Sequence, residues 1–559
     1  MKTKNKLYLL LALPGMFFSS CNDYLNFPKV ATTKIEDSFT SSLAATQCAT
    51  ACYVPLTWEY QSGPGEFNEW FFGDVCSDDA LKGSNTLSDM GTLFDLENFK
   101  TTSDNGALLG YYRTQYMGIF RCNLVYEEVP KMSAALFAKD KPGLQNRVLA
   151  EASFLRAMYY FRLVRLYGGV PVVNHVIKTQ ADWKQPRATE SGVYDQIFSD
   201  LKFAIKYLPE RSGYTAADLG RATKGAARAL LIKAYMNTHD YNDAKLQGDS
   251  IVNSGQYTLV PNYNDIFTVA GENNSESVFE IQYVTDPTSD IWSPNGLGST
   301  RGNITPMMER PRWATGTLIE GWGFNRPTQE LYDEFEPGDP RRDAAIFAPD
   351  TFEVKPSNDN TMNVNVYLGD RYTARKYSMM NPDTTWIASS GQSSRGEINK
   401  KEIRYADVLL MYAEACLKQT TPDVNQAKWA LEQVRNRARL TAGGAGVLPP
   451  FPNYTVQLEG VGQSGTKQLQ DNADDLYLAI QHERRVELAM EGHRWFDLKR
   501  WGLLSDVMNH YRESTKPQIS TYMNPFVKGK HEIFPIPLQE RDLNSPMPQN
   551  PGYDGVPVQ

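Results

Sequence analysis

The sequence predicts a mainly α protein: a tetratricopeptide-like scaffold of helical hairpins carrying an irregular, loop-rich insertion region that contains short β strands. Three observations carry this expectation. From Gln145 to Tyr167 the residues Val148, Ala152, Leu155, Tyr159, Leu163 and Leu166 recur at three- and four-residue steps, the spacing of one helix face. Further helical segments follow in pairs joined by short links, as in stacked helix-turn-helix units. Between about residues 261 and 400 the helical period gives way to Gly, Pro, Asn, Asp and Trp.

The N-terminus reads as an export signal. MKTKNK is basic, LYLLLALPGMFF is a twelve-residue apolar run, and Ser19-Ser20 precede Cys21, so residues 1–20 form a three-part secretory leader too short to span a bilayer. The junction is similar to the lipobox of bacterial lipoproteins, with Phe18 in place of the usual leucine. It makes Cys21 the expected acyl attachment point and residues 21–40 a tether. One domain is expected over 41–559, with scaffold at about 41–260 and 401–559 and a binding region at about 261–400.

Cys48 and Cys52 lie four apart on an expected helix and read as packed thiols. Lipidation of Cys21 leaves five cysteines, so at least one is unpaired and disulfides are not the main source of stability. An aromatic insertion from Trp58 through Trp70-Phe71-Phe72 to Asp89 is expected to contribute to binding. The Gln145–Tyr167 helix carries a second apolar line at Phe154, Phe161 and Val164 and so buries most of its surface. Gly168-Gly169 stop it, and Pro171 opens an extended VPVV run.

Helices are expected at Gly192–Leu208, Lys224–Thr238, Tyr241–Ser254, Ile403–Lys418, Val424–Leu440 and Ala473–Met490, without a clean 34-residue repeat. The insertion holds strand-like runs such as SVFEIQYV and NVNVYL. Loop segments of this length in a compact protein carry function more often than helices do.

The formal charge is −8, and removing the leader with Lys2, Lys4 and Lys6 leaves 54 basic against 65 acidic side chains. That balance excludes a nucleic-acid surface, which needs clustered Lys and Arg. The stretch RRVELAMEGHRWFDLKRWG, Arg484 to Gly502, is dense in charge. Read as one helix, it sets Arg484, Glu487, Glu491 and Arg494 on a single stripe where opposite charges neutralise one another, with Val486, Met490 and Phe496 buried beside them. It reads as a structural network, and His493 as a packing histidine.

Other chemistry is set aside. GVGQSG at Gly460–Gly465 matches a dinucleotide fingerprint, but the position about twenty residues on falls inside a helix and not at a strand end. No HExxH or GxSxG motif occurs. Ser77–Ala80 and Ser357–Asn360 carry calcium-type ligands, yet turn chemistry accounts for them equally, so no cofactor and no metal is expected.

Four motifs then converge: RAMYYFRLVRLYGGVPVV at Arg156–Val173, EIRYADVLLMYAEA at Glu402–Ala415, ERRVELAMEGHRWFDLKRWG ending at Gly502, and FPIPLQERDLNSPMPQNPGY at Phe534–Tyr553. In this order and across the mature chain they resemble the SusD/RagB proteins, nutrient-binding outer-membrane lipoproteins. The resemblance implies a non-enzymatic, lipid-anchored protein on the extracellular face of the outer membrane. It further implies capture of oligosaccharides and a SusC-like TonB-dependent barrel as partner, for which this chain serves as lid. A peptide ligand, or glycoside hydrolysis, are the alternatives.

A glycan offers C–H faces and hydroxyl edges, so its receptor needs flat rings beside amides, acids and guanidinium groups. Trp292, Trp313 and Trp322, with Arg301, Asn303 and Arg312 between them, provide that mixture. In starch-binding relatives an S-D-acid element is followed by a loop bearing arginine and tryptophan. Here Ser77-Asp78-Asp79 is followed by Lys82 and Asn85 with no tryptophan, which argues for an oligosaccharide other than starch, with Trp70 as a replacement platform.

Overall fold

The computed structural model describes residues 39–60, 67–84, 86–138, 143–284, 302–310, 321–348, 372–379, 396–441, 447–514, 517–544 and 547–554. The leader, Cys21, Asn85, Trp292, Arg301, Arg312, Trp313, the NVNVYL run and the Ser357–Asn360 turn lie outside them.

Helices dominate, as the periodicity predicts. The scaffold comprises α1 (Ser42–Ala51), α2 (Gly106–Glu128), α3 (Leu144–Tyr167), α4 (Glu190–Tyr207), α5 (Lys224–Asn237), α6 (Tyr241–Asn253), α7 (Tyr405–Lys418), α8 (Val424–Thr441) and α9 (Ala473–Glu487), with α10 (Arg494–Trp501) and α11 (Leu504–Ser514) following. Polar caps fix several starts. Asn105 accepts from the amides of Ala107 and Leu108, Thr223 from Ala226 and Asn472 from Asp475. From α2 to α8 each helix packs against the next in sequence, and α9 packs on both α7 and α8.

The join between α6 and α7 is the informative one, because about 150 residues of chain separate two helices that touch. Gly248 permits it: a Cβ there would stand 2.3 Å from the Tyr412 ring. The intervening chain is therefore an insertion between consecutive hairpins. Its base is closed by antiparallel pairing of β2 (Ser277–Ile281) with β6 (Lys400–Arg404), Ser277 opposite Arg404 and Ile281 opposite Lys400.

Three more two-stranded sheets occur among the described residues: β1 (Ala80–Gly83) with β3 (Phe324–Pro327), β4 (Ile346–Phe347) with β5 (Thr373–Ala374), and β7 (Thr455–Gln457) with β8 (Thr466–Gln468). The glycine pattern 460–465 lies in the β7–β8 connection and opens no helix, which agrees with setting the nucleotide reading aside.

Every residue of α3 from Ala150 to Val164 is buried, as its two apolar lines require. The charged members are matched. Arg156 donates to both oxygens of Asp200 at 2.9 and 2.7 Å, and Arg162 donates to Glu402 at 2.9 Å. Each buried aliphatic or aromatic side chain here contributes about 1.5–3 kcal/mol.

Two expectations need correction. The aromatic insertion near residue 70 is core: Trp58, Phe67, Phe71 and Phe72 are all at most 2 % exposed, and Trp58 lies beneath the Arg121 guanidinium at 4.8 Å. The charged stretch is not one helix. α9 ends at Glu487, Met490 and Gly492 take φ of +60° and +78°, and α10 begins at Arg494. The close approach of Gly73 forces the break, since a Cβ there would lie 2.4 Å from the Gly492 Cα.

Freed from a common stripe, these charges find partners elsewhere. Glu487 accepts from Arg341, Arg404 and Arg437, Glu491 from Arg404 and Lys376, Arg484 pairs with Asp407 and Asp497, and Arg494 with Asp78. The charges are satisfied, but by distant segments. Val486, Met490 and Phe496 are buried as expected.

Candidate functional site

The ion network is the foundation from which the site rises. Arg485 reaches Asp79 with Nε, Asp78 with Nη2 and Glu334 with Nη1, at 2.8, 2.8 and 2.9 Å. Thr328 adds hydrogen bonds from its amide to the Asp79 carbonyl and from its hydroxyl to the Asp78 carbonyl. The Ser77-Asp78-Asp79 element is thus fixed to α9 on one side and to the residue following β3 on the other. Its carboxylates are occupied by arginine, which removes them as calcium ligands. Among the described residues no group of three His, Cys, Asp or Glu is placed to hold a metal ion.

From this anchor β1 pairs with β3, Ala80 opposite Pro327 and Gly83 opposite Phe324, and the Ser84 amide donates to the Gly323 carbonyl at 2.7 Å. The loop after β1 and the segment before β3 therefore leave the same end of one hairpin. That brings Lys82 and Ser84 near the segment bearing Trp322.

A second set of contacts gathers the ends of the insertion. Asn303 and Gly396 exchange backbone hydrogen bonds at 2.7 Å, and the Asn303 amide donates to Ile398 O at 2.9 Å. Tyr283 N–H donates to Asn399 Oδ1 at 2.8 Å, Arg310 Nε to Ser378 O at 2.6 Å, and Trp322 N–H to Met307 O at 2.8 Å. Trp292, Arg301, Arg312 and Trp313 lie outside the described residues.

The described candidates divide. Trp322 is half-buried and meets the half-buried Tyr60 edge-on, ring centres 5.8 Å apart at 76°. Tyr60 also closes the segment 61–66, its amide donating to Phe67 O at 2.8 Å. Tyr60 was not among the residues the sequence singled out. The available signal was its position beside the turn-rich run QSGPGE.

Lys82, Trp70 and Asn303 do not sit as expected. Lys82 is 1 % exposed, and its ammonium donates to the carbonyls of Gly83, Thr86 and Asp89 at 3.0, 3.0 and 2.9 Å, so it staples its own loop. Trp70 is 6 % exposed, packs edge-on against Phe71, and lines a small cavity of about 50 Å³ with Glu309, Lys400 and His493. Asn303 is 1 % exposed and ties two parts of the insertion together through its bonds to Gly396 and Ile398. These three missed because a polar or aromatic residue in a loop looks the same in sequence whether it faces water or ties the loop down.

Behind the patch, Asn325 donates to Glu309 at 2.7 Å and to Asp74 at 3.3 Å. Burial raises both carboxyls, Asp74 to about 7 and Glu309 to about 8. Both are 1 % exposed, so this pair faces the interior.

Comparison with known proteins places this architecture. The SusD family model matches residues 275–553, and a family described as starch-binding and associating with the outer membrane matches residues 54–236. SusD-like protein P2 of Formosa agariphila is 27% identical over 471 residues, covering 82% of this chain and 83% of that one. The starch-binding protein SusD of Bacteroides thetaiotaomicron is 28% identical over 179 residues, 31% of this chain and 28% of that one. A solved laminarin-binding SusD-like protein superposes with a TM-score of 0.73 at 28% identity, covering 92% of this chain and all of its own. Family models over both halves, structural likeness along the chain and the motifs agree: the chain belongs to the SusD/RagB family.

Proposed function

We propose that this protein binds a neutral oligosaccharide of the β-1,3-glucan class on the face where Tyr60 and Trp322 meet, with Trp292, Trp313, Arg301, Arg312 and Asn85 contributing. The observation that carries the reading is the Trp322–Tyr60 pair. Two half-buried rings held at 76° offer a sugar a C–H stacking surface with a corner. The laminarin-binding relative supports the substrate class.

The protein acts without catalysis in this account. Of the carboxyls that burial raises toward neutrality among the described residues, Asp74 and Glu309 are interior and hydrogen-bonded through Asn325, and the half-buried Glu272 accepts from the Asn399 amide at 2.7 Å. Anchored through acylated Cys21 on the outside of the outer membrane, it passes its ligand to a SusC-like TonB-dependent barrel, which it covers as a lid. Calorimetric titration with a β-1,3-glucan hexasaccharide and with peptide libraries tests the ligand class. Saturable glucan binding is expected, and peptide binding without a glucan response would replace it with the peptide-uptake alternative.

A further inference from the structure

The helical scaffold carries a groove of about 390 Å³, within the range of small-ligand pockets, that shares no residue with the face described above. On α8, Trp429, Gln433, Asn436 and Leu440 stand at steps of four, three and four and form one wall. Tyr257, Thr258, Leu259 and Pro261 form the other, with Tyr405 and Leu409 of α7 as the floor.

The chemistry of these walls is that of a sugar site. Trp429 is 38% exposed, and its indole N–H has no hydrogen-bond partner among the described residues. The same is true of the exposed Gln433 amide. The Tyr257 and Tyr405 rings stack at 6.1 Å and 27°, and Tyr257 is fixed by a 2.9 Å hydrogen bond between its hydroxyl and that of Thr223. An open indole and a free amide, set beside two tyrosines that are only 5% and 8% exposed, pair the C–H face of a pyranose with donors for its hydroxyls.

The groove also selects against charged ligands. Its cation, Arg437, is neutralised by Glu276 at 2.8 Å and Glu487 at 2.5 Å. No unpaired carboxylate lines it. A neutral ligand therefore meets no uncompensated charge.

We infer that this groove is a second binding site for neutral oligosaccharide, on the scaffold and independent of the loops, which holds another stretch of the polymer engaged at the Trp322 face. The inference rests on the proposed glycan function for its probe. Two linked sites raise apparent affinity for a long chain above that for a short one.

The test is calorimetric stoichiometry with a β-1,3-glucan hexasaccharide on the intact protein. Wild type should bind two equivalents, Trp429→Ala and Gln433→Ala only the one at the Trp322 face, and Trp322→Ala only the one in the groove. Native gels containing laminarin should show Trp429→Ala weakened about tenfold or more for polymer. One equivalent in wild type, lost in Trp322→Ala and untouched in Trp429→Ala, overturns the second site while leaving the proposed function standing. No binding by wild type overturns both.

Discussion

Asp78 receives Arg494 through both carboxylate oxygens, Nε on Oδ1 at 2.8 Å and Nη2 on Oδ2 at 2.9 Å, across 416 residues of sequence. The pair joins the segment that launches β1 to the first turn of α10. It is fully buried, so its geometry matters more than its charge. Arg494→Lys keeps the charge and loses the fork. Such a variant is expected to lose about 1–3 kcal/mol in chemical denaturation and to bind glycan more weakly, because the β1–β3 hairpin that bears the site is then held by fewer bonds.

Glu487 is the centre of the network, facing Arg341, Arg404 and Arg437. Removing a buried partner strands the opposite charges, so Glu487→Ala should destabilise by about 3–5 kcal/mol. Differential scanning calorimetry measures this. Replacement of a surface acid such as Asp471, 60% exposed at its side chain, should change stability little.

His482 gives the network a pH signature. Burial alone would lower its pKa, but hydrogen bonds to Glu334 at 2.6 Å and Glu336 at 3.3 Å outweigh that and raise it to about 9. A raised pKa contributes stability that is fully present below the unfolded value near 6.5 and is lost as pH climbs through about 9. His482→Asn should therefore cost more stability at pH 6 than at pH 9.5, read from urea midpoints across that window.

Glu309 has the same sign from the opposite cause. Its carboxyl is raised by burial to about 8, so the folded state prefers the protonated form and loses stability as pH rises from about 4.5 to about 8. Glu309→Gln should raise the melting temperature at pH 8.5 by more than at pH 5. An equal shift at both values would show that the carboxyl titrates normally.

The proposed anchor is tested by Cys21→Ser, which should move the protein from the membrane fraction to the soluble fraction after cell disruption. Retention in the membrane of cells lacking the partner barrel would contradict lipid attachment at Cys21.

How much of this could be read from sequence depends on how local the cause is. α3 was plain because its burial repeats every turn. α2 went unseen: Gly110 and Gly118 dilute its pattern, and Gly118 is there because the Tyr159 ring fills the space a Cβ would take, 2.3 Å away. The charged stretch after Arg484 reads as structural, but its partners sit at positions such as 78, 341 and 404, and no local spacing encodes them. Lys82 and Trp70 look in sequence like open loop residues, and only the fold shows Lys82 tied to Gly83, Thr86 and Asp89 and Trp70 packed on Phe71.

The account turns on one claim, that a rigid helical frame holds a glycan-capturing face built around Trp322. Calorimetric titration of Trp322→Ala with a β-1,3-glucan hexasaccharide, alongside a melting curve, tests it most directly. The expected result is an unchanged fold with affinity at this face reduced about tenfold or more, the scale of about 1.4 kcal/mol for a lost stacking surface. A folded variant that binds at both sites with wild-type affinity would contradict it.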